Sequence, residues 1–118
     1  INGLDKKKLF MTINNLKSSN QVISHYINEN IKINSTLDNK NRRIILNSSF
    51  FQHPYEVVFR SLSNTIQSIG AKYYPVRGKK IDNIIKKITE NTLNKETLGG
   101  CVIIKVNQTV IISKENQI

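Results

Sequence analysis

Side chains able to carry covalent or acid–base chemistry are few in this sequence and stand far apart. His25 and His53 lie in separate segments, and neither has a cysteine or carboxylate at the spacing of a metal-ligand set. The three Asp and five Glu are scattered, without a pair spaced to share one helix face as acid and base. We therefore predict no catalytic residues and no metal site, and we interpret both histidines as surface or capping side chains.

Cys101 is the remaining candidate nucleophile. A catalytic thiol needs a histidine close in space, and the flanking residues 98–104 are typical of a strand. We therefore interpret Cys101 as a small, buried apolar side chain. Gly99 and Gly100 are interpreted as a bulge or a close strand crossing, because the chain has neither a G-x-x-x-x-G-K-[ST] nor a G-x-G-x-x-G motif for phosphate binding.

Binding chemistry is concentrated between residues 72 and 80, where cations and aromatic rings occur together. The candidate RNA-binding residues of this segment are Lys72, Tyr73, Tyr74, Arg77, Lys79 and Lys80. They lead into a predicted helix, whose free first amides and dipole favour a phosphate oxygen beside Arg and Lys. The tyrosine rings can pack on a ribose or stack on an unpaired base. The alternative is that a tyrosine belongs to the core and the lysines form a solvated helix face.

Arg42 and Arg43 are a second candidate RNA contact, because they follow a polar turn between two apolar segments. Arg60 is explained without RNA, since Glu56 stands four residues earlier and an ion pair along a helix accounts for it. From the residues alone, the predicted contact surface is therefore the segment 72–80 together with Arg42 and Arg43.

The net charge of the chain favours an anionic partner. Its 118 residues hold 18 Lys plus Arg against 8 Asp plus Glu, a formal net charge of +10, which is typical of proteins that bind nucleic acid or another polyanion. Part of this charge can reflect genome composition, because the 19 Ile, 16 Asn and 14 Lys share A/T-rich codons.

Length and hydropathy predict one small domain in a reducing compartment. The chain is long enough for one core, and its single cysteine excludes an internal disulfide. No apolar run approaches the roughly 20 residues of a membrane helix, and no signal peptide is visible. We therefore expect a cytoplasmic protein with no membrane partner. Because the first residue is Ile rather than Met, we also expect a segment of a longer protein.

Apolar periodicity predicts an α+β domain. The predicted elements are a long amphipathic helix over 4–31, a small hairpin of 31–33 with 43–46, two further helices over 55–70 and 78–88, and a C-terminal β-hairpin of 98–106 with 109–113. Ser48 or Ser49 is expected to cap the second helix, with Pro54 at its first position and Gly70 at its end. The residues predicted to be buried by these two helices are Val58, Phe59, Leu62, Ile66, Ile69, Ile81, Ile84, Ile85 and Ile88.

Four stretches of the second half carry a family resemblance. They are residues 54–62 (PYEVVFRSL), 70–77 (GAKYYPVR), the apolar helix 81–88, and 96–101 (ETLGGC) followed by 110–115 (VIISKE). Their order and spacing over about residues 50–115 resemble the region that follows the catalytic domain in bacterial tRNA(Ile)-lysidine synthetases, the PP-loop ATP-dependent ligases. Val76 and Lys114 depart from the family pattern, where a second proline and an arginine are common, and lysine is the poorer bidentate ligand.

The resemblance implies an accessory region without its catalytic domain. In that family the catalytic domain uses ATP and Mg to convert the wobble cytidine of isoleucine tRNA to lysidine, and its Ser-Gly-Gly-x-Asp-Ser loop does not occur here. Residues 1–30 would then be a helix leading out of the missing N-terminal catalytic domain, and 31–118 a small accessory domain. The parent would be an ATP-dependent C–N ligase, whereas this fragment would be non-catalytic and without a cofactor of its own.

Three functions remain open at this point. The main hypothesis is docking of isoleucine tRNA beside the chain's own catalytic domain, which predicts exposed cations converging on one face and a salt-sensitive affinity. The second is a structural packing or homodimerisation domain with no RNA contact, which predicts a contiguous exposed apolar patch. The third is a thiol enzyme that uses Cys101, which predicts an exposed, fast-reacting thiol.

Overall fold

In the computed structural model, which describes residues 19–71 and 78–115, α-helices pack on one face of a five-stranded antiparallel sheet. The helices are α1 (Ser19–Asn34), α2 (Tyr55–Gly70) and α3 (Gly78–Thr89), with a 3-10 helix over Ser48–Phe51. The strands are β1 (Ser35–Asp38), β2 (Arg43–Leu46), β3 (Lys95–Leu98), β4 (Cys101–Val106) and β5 (Thr109–Lys114). The predicted α+β class is therefore confirmed.

The sheet joins two hairpins edge to edge, in the strand order β1-β2-β5-β4-β3. β2 pairs with β5, so that Ile44 lies opposite Ile112 and Leu46 opposite Val110. These four side chains are buried on the face that meets the helices, and the alternate side chains of both strands are only partly buried. A sheet with one covered face gives this alternation of burial.

The apolar stripes predicted for α2 and α3 form the core. In α2, Val58, Leu62 and Ile66 are buried, while Phe59 and Ile69 are partly buried against the same cluster. All the isoleucines predicted to be buried in α3 are buried, namely Ile81, Ile84, Ile85 and Ile88. Within residues 19–71 and 78–115, no helix combines the length and the apolar character needed to cross a bilayer.

The first helix ends later than predicted. α1 continues to Asn34, so the strand predicted over 31–33 is wrong and β1 begins at Ser35. The alternating residues 31–33 resemble a strand locally, but Asn30 Nδ2 donates to the Phe50 carbonyl (3.1 Å), and Asn34 Nδ2 donates to Asn30 Oδ1 (2.9 Å). These buried hydrogen bonds hold the last turn as helix and override the local pattern.

Residues 4–18 of the predicted first helix lie outside the described residues. The domain boundary predicted after residue 30 falls inside α1, which packs along α2. Division of the chain at that position remains a prediction.

The C-terminal hairpin has a third strand that sequence analysis missed. β3 pairs with β4, and Gly99 and Gly100 form the turn between them with φ values of 61° and 80°. The interpretation of this pair as a bulge or strand crossing is therefore wrong, as is a strand running unbroken from Leu98. β3 is an edge strand, which pairs only with β4. It was missed because its first residues are polar and show no apolar pattern.

The bounds of α2 are those predicted, but the capping at its start differs. Ser48 opens the 3-10 helix rather than capping α2, and Asn47 Oδ1 caps that turn by accepting from the Phe50 N–H at 3.1 Å. Pro54 precedes α2 as its N-cap residue. α2 ends at Gly70, as predicted, and the left-handed residue that follows it is Ala71 (φ 55°).

Candidate nucleic-acid interface

Some cations of the described chain are held by carboxylates and are poor candidates for RNA contact. Arg60 Nε lies 2.7 Å from Glu56 Oε1, which confirms the ion pair predicted along α2. Lys87 forms an ion pair with Glu96, across a groove between α3 and β3. A carboxylate beside a cation offsets part of its charge, and so weakens its attraction for a phosphate.

Arg43 lies on the sheet face that points away from the helices. Its Nε is 3.1 Å from Asp38 Oδ2, directly across the β1–β2 pair. Hydrogen bonds from the Asn41 side chain, then from the Asn41 backbone N–H and Arg43, lower the pKa of the Asp38 carboxyl below its usual value. Asp38 therefore stays ionised at neutral pH and keeps Arg43 engaged.

Lys79 and Lys80 stand in the first turn of α3 with exposed side chains. In the described part of the chain, neither has a carboxylate within ion-pair distance. Their position is fixed through Gly78, where an added Cβ would lie 3.3 Å from Cζ of Phe59. The start of α3 therefore packs against the first turns of α2. Lys79 directly follows that contact, whereas Lys80 lines a groove with Lys87 and Glu96.

Arg42 and Lys114 form a second basic group at the opposite end of α2. Both line a groove of about 350 Å³ together with Ser68 and Ala71, and the Lys114 N–H donates to the Arg42 carbonyl at 3.4 Å. Arg42 is exposed and has φ 51°, a left-handed conformation that costs an arginine energy. Non-glycine residues in this region are often found at functional sites.

The structure therefore brings some of the predicted RNA-binding residues together and separates others. Lys79 and Lys80 are adjacent, whereas Arg42 lies beside Ser68 and Ala71 at the C-terminal end of α2, away from the contact of Gly78 with Phe59. Arg43 is on the far face of the sheet. Lys72, Tyr73, Tyr74 and Arg77 lie outside the described residues, and they follow directly on Ala71 in the chain.

Lys114 is a basic residue that sequence analysis did not include in the site. Its place beside Arg42 depends on the β2–β5 pairing, in which Arg43 lies opposite Ser113. That pairing joins residues far apart in the chain and has no local sequence signal. An indirect signal was present, because the resemblance placed a basic residue of the family at position 114.

Cys101 is fully buried, as predicted, and its Sγ donates to the Ile66 carbonyl at 3.2 Å. His25 makes an edge-on contact with Tyr26, and His53 Nε2 lies 3.4 Å from Asn34 Nδ2. Within the described ranges, no three His, Cys, Asp or Glu side chains cluster as a metal site would require. The surroundings of this thiol are those of a core residue.

Labelling of the thiol tests that interpretation directly. We expect Cys101 in the native chain to react with a thiol reagent at least about 100-fold more slowly than in the urea-unfolded chain, because reaction requires local opening. The measurement is the rate of colour release from a chromogenic disulfide. Native and unfolded rates within a few-fold of each other would reopen the thiol-enzyme hypothesis.

Comparison with known proteins relates part of this chain to one longer enzyme. No family model matches the sequence, and no solved structure gives a significant match. The chain is similar to a tRNA(Ile)-lysidine synthase of Wolbachia pipientis wMel, with 33% identity over 70 residues. The matched region makes up 58% of this chain and 16% of that protein. The similarity is therefore one between this chain and a small part of the synthase.

Proposed function

We propose that this chain is an accessory region of a tRNA(Ile)-lysidine synthase and that it docks tRNA for the rest of the enzyme. The similarity to the Wolbachia synthase carries the proposal, because that protein's name specifies a tRNA substrate. The formal net charge of +10 agrees with a polyanionic partner. Adenylation of the tRNA with ATP and Mg, and attack by lysine, are assigned to the part of the enzyme outside this chain.

Docking in this proposal works through the phosphate backbone. Lys79 and Lys80 are exposed, and neither has a described carboxylate partner to displace. Arg42 and Lys114 provide a second pair of cations, in the groove beside the C-terminal end of α2. Two separated pairs of phosphate contacts fix the orientation of an RNA without reading its bases. The residues at 72, 73, 74 and 77 are proposed contacts on the resemblance and the sequence alone.

A structural packing role remains the second candidate, and one feature of the sheet favours it. Ile45, Ile111 and Ile104 are cross-strand neighbours on the face away from the helices, and each is only partly buried. Such a strip suits contact with another protein surface, for example the rest of the enzyme or a second copy. This strip is separate from the proposed docking cations, because Lys79 stands on α3 and Arg42 in the turn between β1 and β2.

The docking proposal is tested by replacing Lys79 and Lys80 together with alanine. If each lysine makes a charge-assisted phosphate contact, we expect tRNA affinity to fall by about 2–3 kcal/mol, roughly 30- to 150-fold. The free energy of unfolding should change little, because both side chains are exposed. Affinity is measured by filter binding or fluorescence anisotropy with an isoleucine tRNA transcript.

A matched control removes the same charge elsewhere. Lys32 near the end of α1 and Lys95 at the start of β3 are both exposed, and their double alanine variant should bind tRNA within about threefold of the original chain. Equal losses in the two double variants would mean that only net charge matters. Unchanged affinity in the Lys79/Lys80 variant would remove this surface from the docking site.

Arg42 allows function and stability to be separated at one position. Arg42→Gly relieves the left-handed strain at φ 51°, so we expect the free energy of unfolding to stay equal or to rise by up to about 1 kcal/mol. Loss of the guanidinium should nevertheless weaken tRNA binding about fivefold or more. Urea denaturation and the tRNA titration measure the two effects. Unchanged affinity in this variant would remove Arg42 from the docking surface.

A further inference from the structure

Tyr55 is a large aromatic side chain left 51% exposed at the first residue of α2. Its ring lies 6.0 Å from that of Phe59, centroid to centroid, at an interplanar angle of 42°. Phe59 is partly buried against the hydrophobic core, so the Tyr55 ring packs over a side chain that the core supports. Tyr55 is therefore held in place on its inner side and open to solvent on its outer side.

The same Phe59 ring connects Tyr55 to the start of α3. A Cβ at Gly78 would lie 3.3 Å from Phe59 Cζ, so the helix backbone and the ring are in close contact. Lys79 and Lys80 follow immediately, exposed and without a carboxylate partner among the described residues. Lys80 faces the groove between α3 and β3, which it lines with Lys87 and Glu96. Lys79 is thus the cation that directly follows the Phe59 contact, although 24 positions separate it from Tyr55 in the sequence.

Charge around the ring also favours an anionic ligand. Glu56 is the next residue to Tyr55, but its carboxylate is paired with Arg60 at 2.7 Å. Asp82 stands three residues after Lys79 on α3, but the two form no ion pair. The Lys79 ammonium is therefore available next to the helix start that contacts Phe59. Single-stranded nucleic acid is bound by this combination of chemistries, with bases stacked on rings and phosphates held by cations.

We propose that Tyr55 is a stacking platform for an unpaired RNA base whose neighbouring phosphate is held by Lys79. This inference rests on the proposed docking function and specifies its ligand, namely a single-stranded nucleotide of the tRNA. Stacking on an aromatic side chain tolerates any base, because every base has a π-face. The site therefore selects an unpaired position in the RNA rather than a sequence.

Substitutions at position 55 separate stacking from a merely structural role. We expect Tyr55→Ala to weaken tRNA binding about tenfold, Tyr55→Phe to stay within about twofold, and Tyr55→Leu to resemble the alanine variant although it fills much of the same space. A blunt-ended RNA duplex should bind all of these variants equally. Tyr26→Ala, which removes another exposed tyrosine from α1, is the matched control and should leave tRNA affinity unchanged.

A fluorescent variant provides a direct readout of stacking. The chain contains no tryptophan, so Tyr55→Trp introduces a single indole at the site. We expect its fluorescence to be quenched when tRNA is added and not when the blunt duplex is added, because only an unpaired base can stack on the ring.

The outcomes distinguish this inference from the function on which it rests. If Tyr55→Ala binds tRNA as the original chain does while the Lys79/Lys80 variant does not, stacking is wrong and docking stands. Equal loss of duplex and tRNA binding in the folded Tyr55→Ala chain would also overturn stacking, because it would indicate a structural role. If the original chain binds no tRNA at all, both the docking function and the stacking inference fail.

Discussion

Replacing Gly70 with alanine is expected to lower the free energy of unfolding by about 3 kcal/mol or more. Inside a helix this change ordinarily stabilises a protein by up to about 1 kcal/mol, so the sign is reversed here. An added Cβ would lie 2.0 Å from the carbonyl oxygen of Gly99 and 3.4 Å from Cys101 Sγ. The clash is with backbone, so it cannot be relieved by turning a side chain.

The clash also involves a segment with little freedom to move. Gly99 belongs to the tight β3–β4 turn, where it and Gly100 both have positive φ. Relief would require the end of α2 to shift away from the sheet and to disturb buried Ile66, whose carbonyl accepts from Cys101. For a domain of this size we expect the melting temperature to fall by roughly 10–20 °C.

Gly78→Ala is the matched control for this prediction. The nearest atom to its added Cβ would be Phe59 Cζ at 3.3 Å, and a partly buried ring can move slightly. We expect this variant to stay within about 1 kcal/mol of the original chain in urea denaturation. A Gly70→Ala chain as stable as the original would contradict the close contact between α2 and the β3–β4 turn.

The second large effect is expected at Asn30, which is 1% exposed. Its Nδ2 donates to the Phe50 carbonyl (3.1 Å) and to Ser61 Oγ (3.2 Å), and its Oδ1 accepts from Asn34 at 2.9 Å. One side chain thus ties α1 to the 3-10 helix and to α2. Asn30→Ala leaves buried polar groups without partners, and we expect a loss of about 3 kcal/mol in the free energy of unfolding.

Asn28→Ala is the control for Asn30, because Asn28 lies on the same helix and is exposed. Its effect should be below about 0.5 kcal/mol. A double-mutant cycle with Ser61→Ala should give a coupling energy of about 1 kcal/mol, since the two side chains share a buried hydrogen bond. A loss below 1 kcal/mol in Asn30→Ala, or no coupling to Ser61, would contradict the network as described.

Helical periodicity was the most reliable signal in the sequence. The stripe in α3 identified Ile81, Ile84, Ile85 and Ile88 as buried, and each is buried. Cys101 was likewise correctly interpreted as a core residue. These predictions succeeded because the spacing of apolar residues along one element determines which of its faces is covered.

Features that depend on contacts between distant residues could not be predicted in the same way. The end of α1 is set by the hydrogen bond from Asn30 to Phe50, twenty positions along the chain, and not by the alternation of residues 31–33. The glycine at position 70 was interpreted as a helix stop, but its small size is required by the Gly99 turn.

In the candidate site, too, residues that are neighbours in the sequence were predicted and residues brought together by packing were not. Lys79 and Lys80 were identified because they are neighbours in sequence, and the structure leaves both exposed. Lys114 was missed and Tyr55 was not considered. Lys114 meets Arg42 only through tertiary packing, and so does the Phe59 ring beside Tyr55 when it meets the start of α3. Arg43 and Arg42 seemed equivalent in sequence, but strand alternation turns Arg43 toward Asp38.

The salt dependence of tRNA binding is the most direct test of docking through phosphates. Binding of isoleucine tRNA would be titrated between about 50 and 200 mM salt for the original chain, the Lys79/Lys80 alanine variant and the Lys32/Lys95 control. We predict a steep fall of affinity with salt for the original chain and the control, and a log–log slope smaller by about 1.5–2 in the Lys79/Lys80 variant. Identical slopes in all three chains would contradict phosphate contact by these lysines.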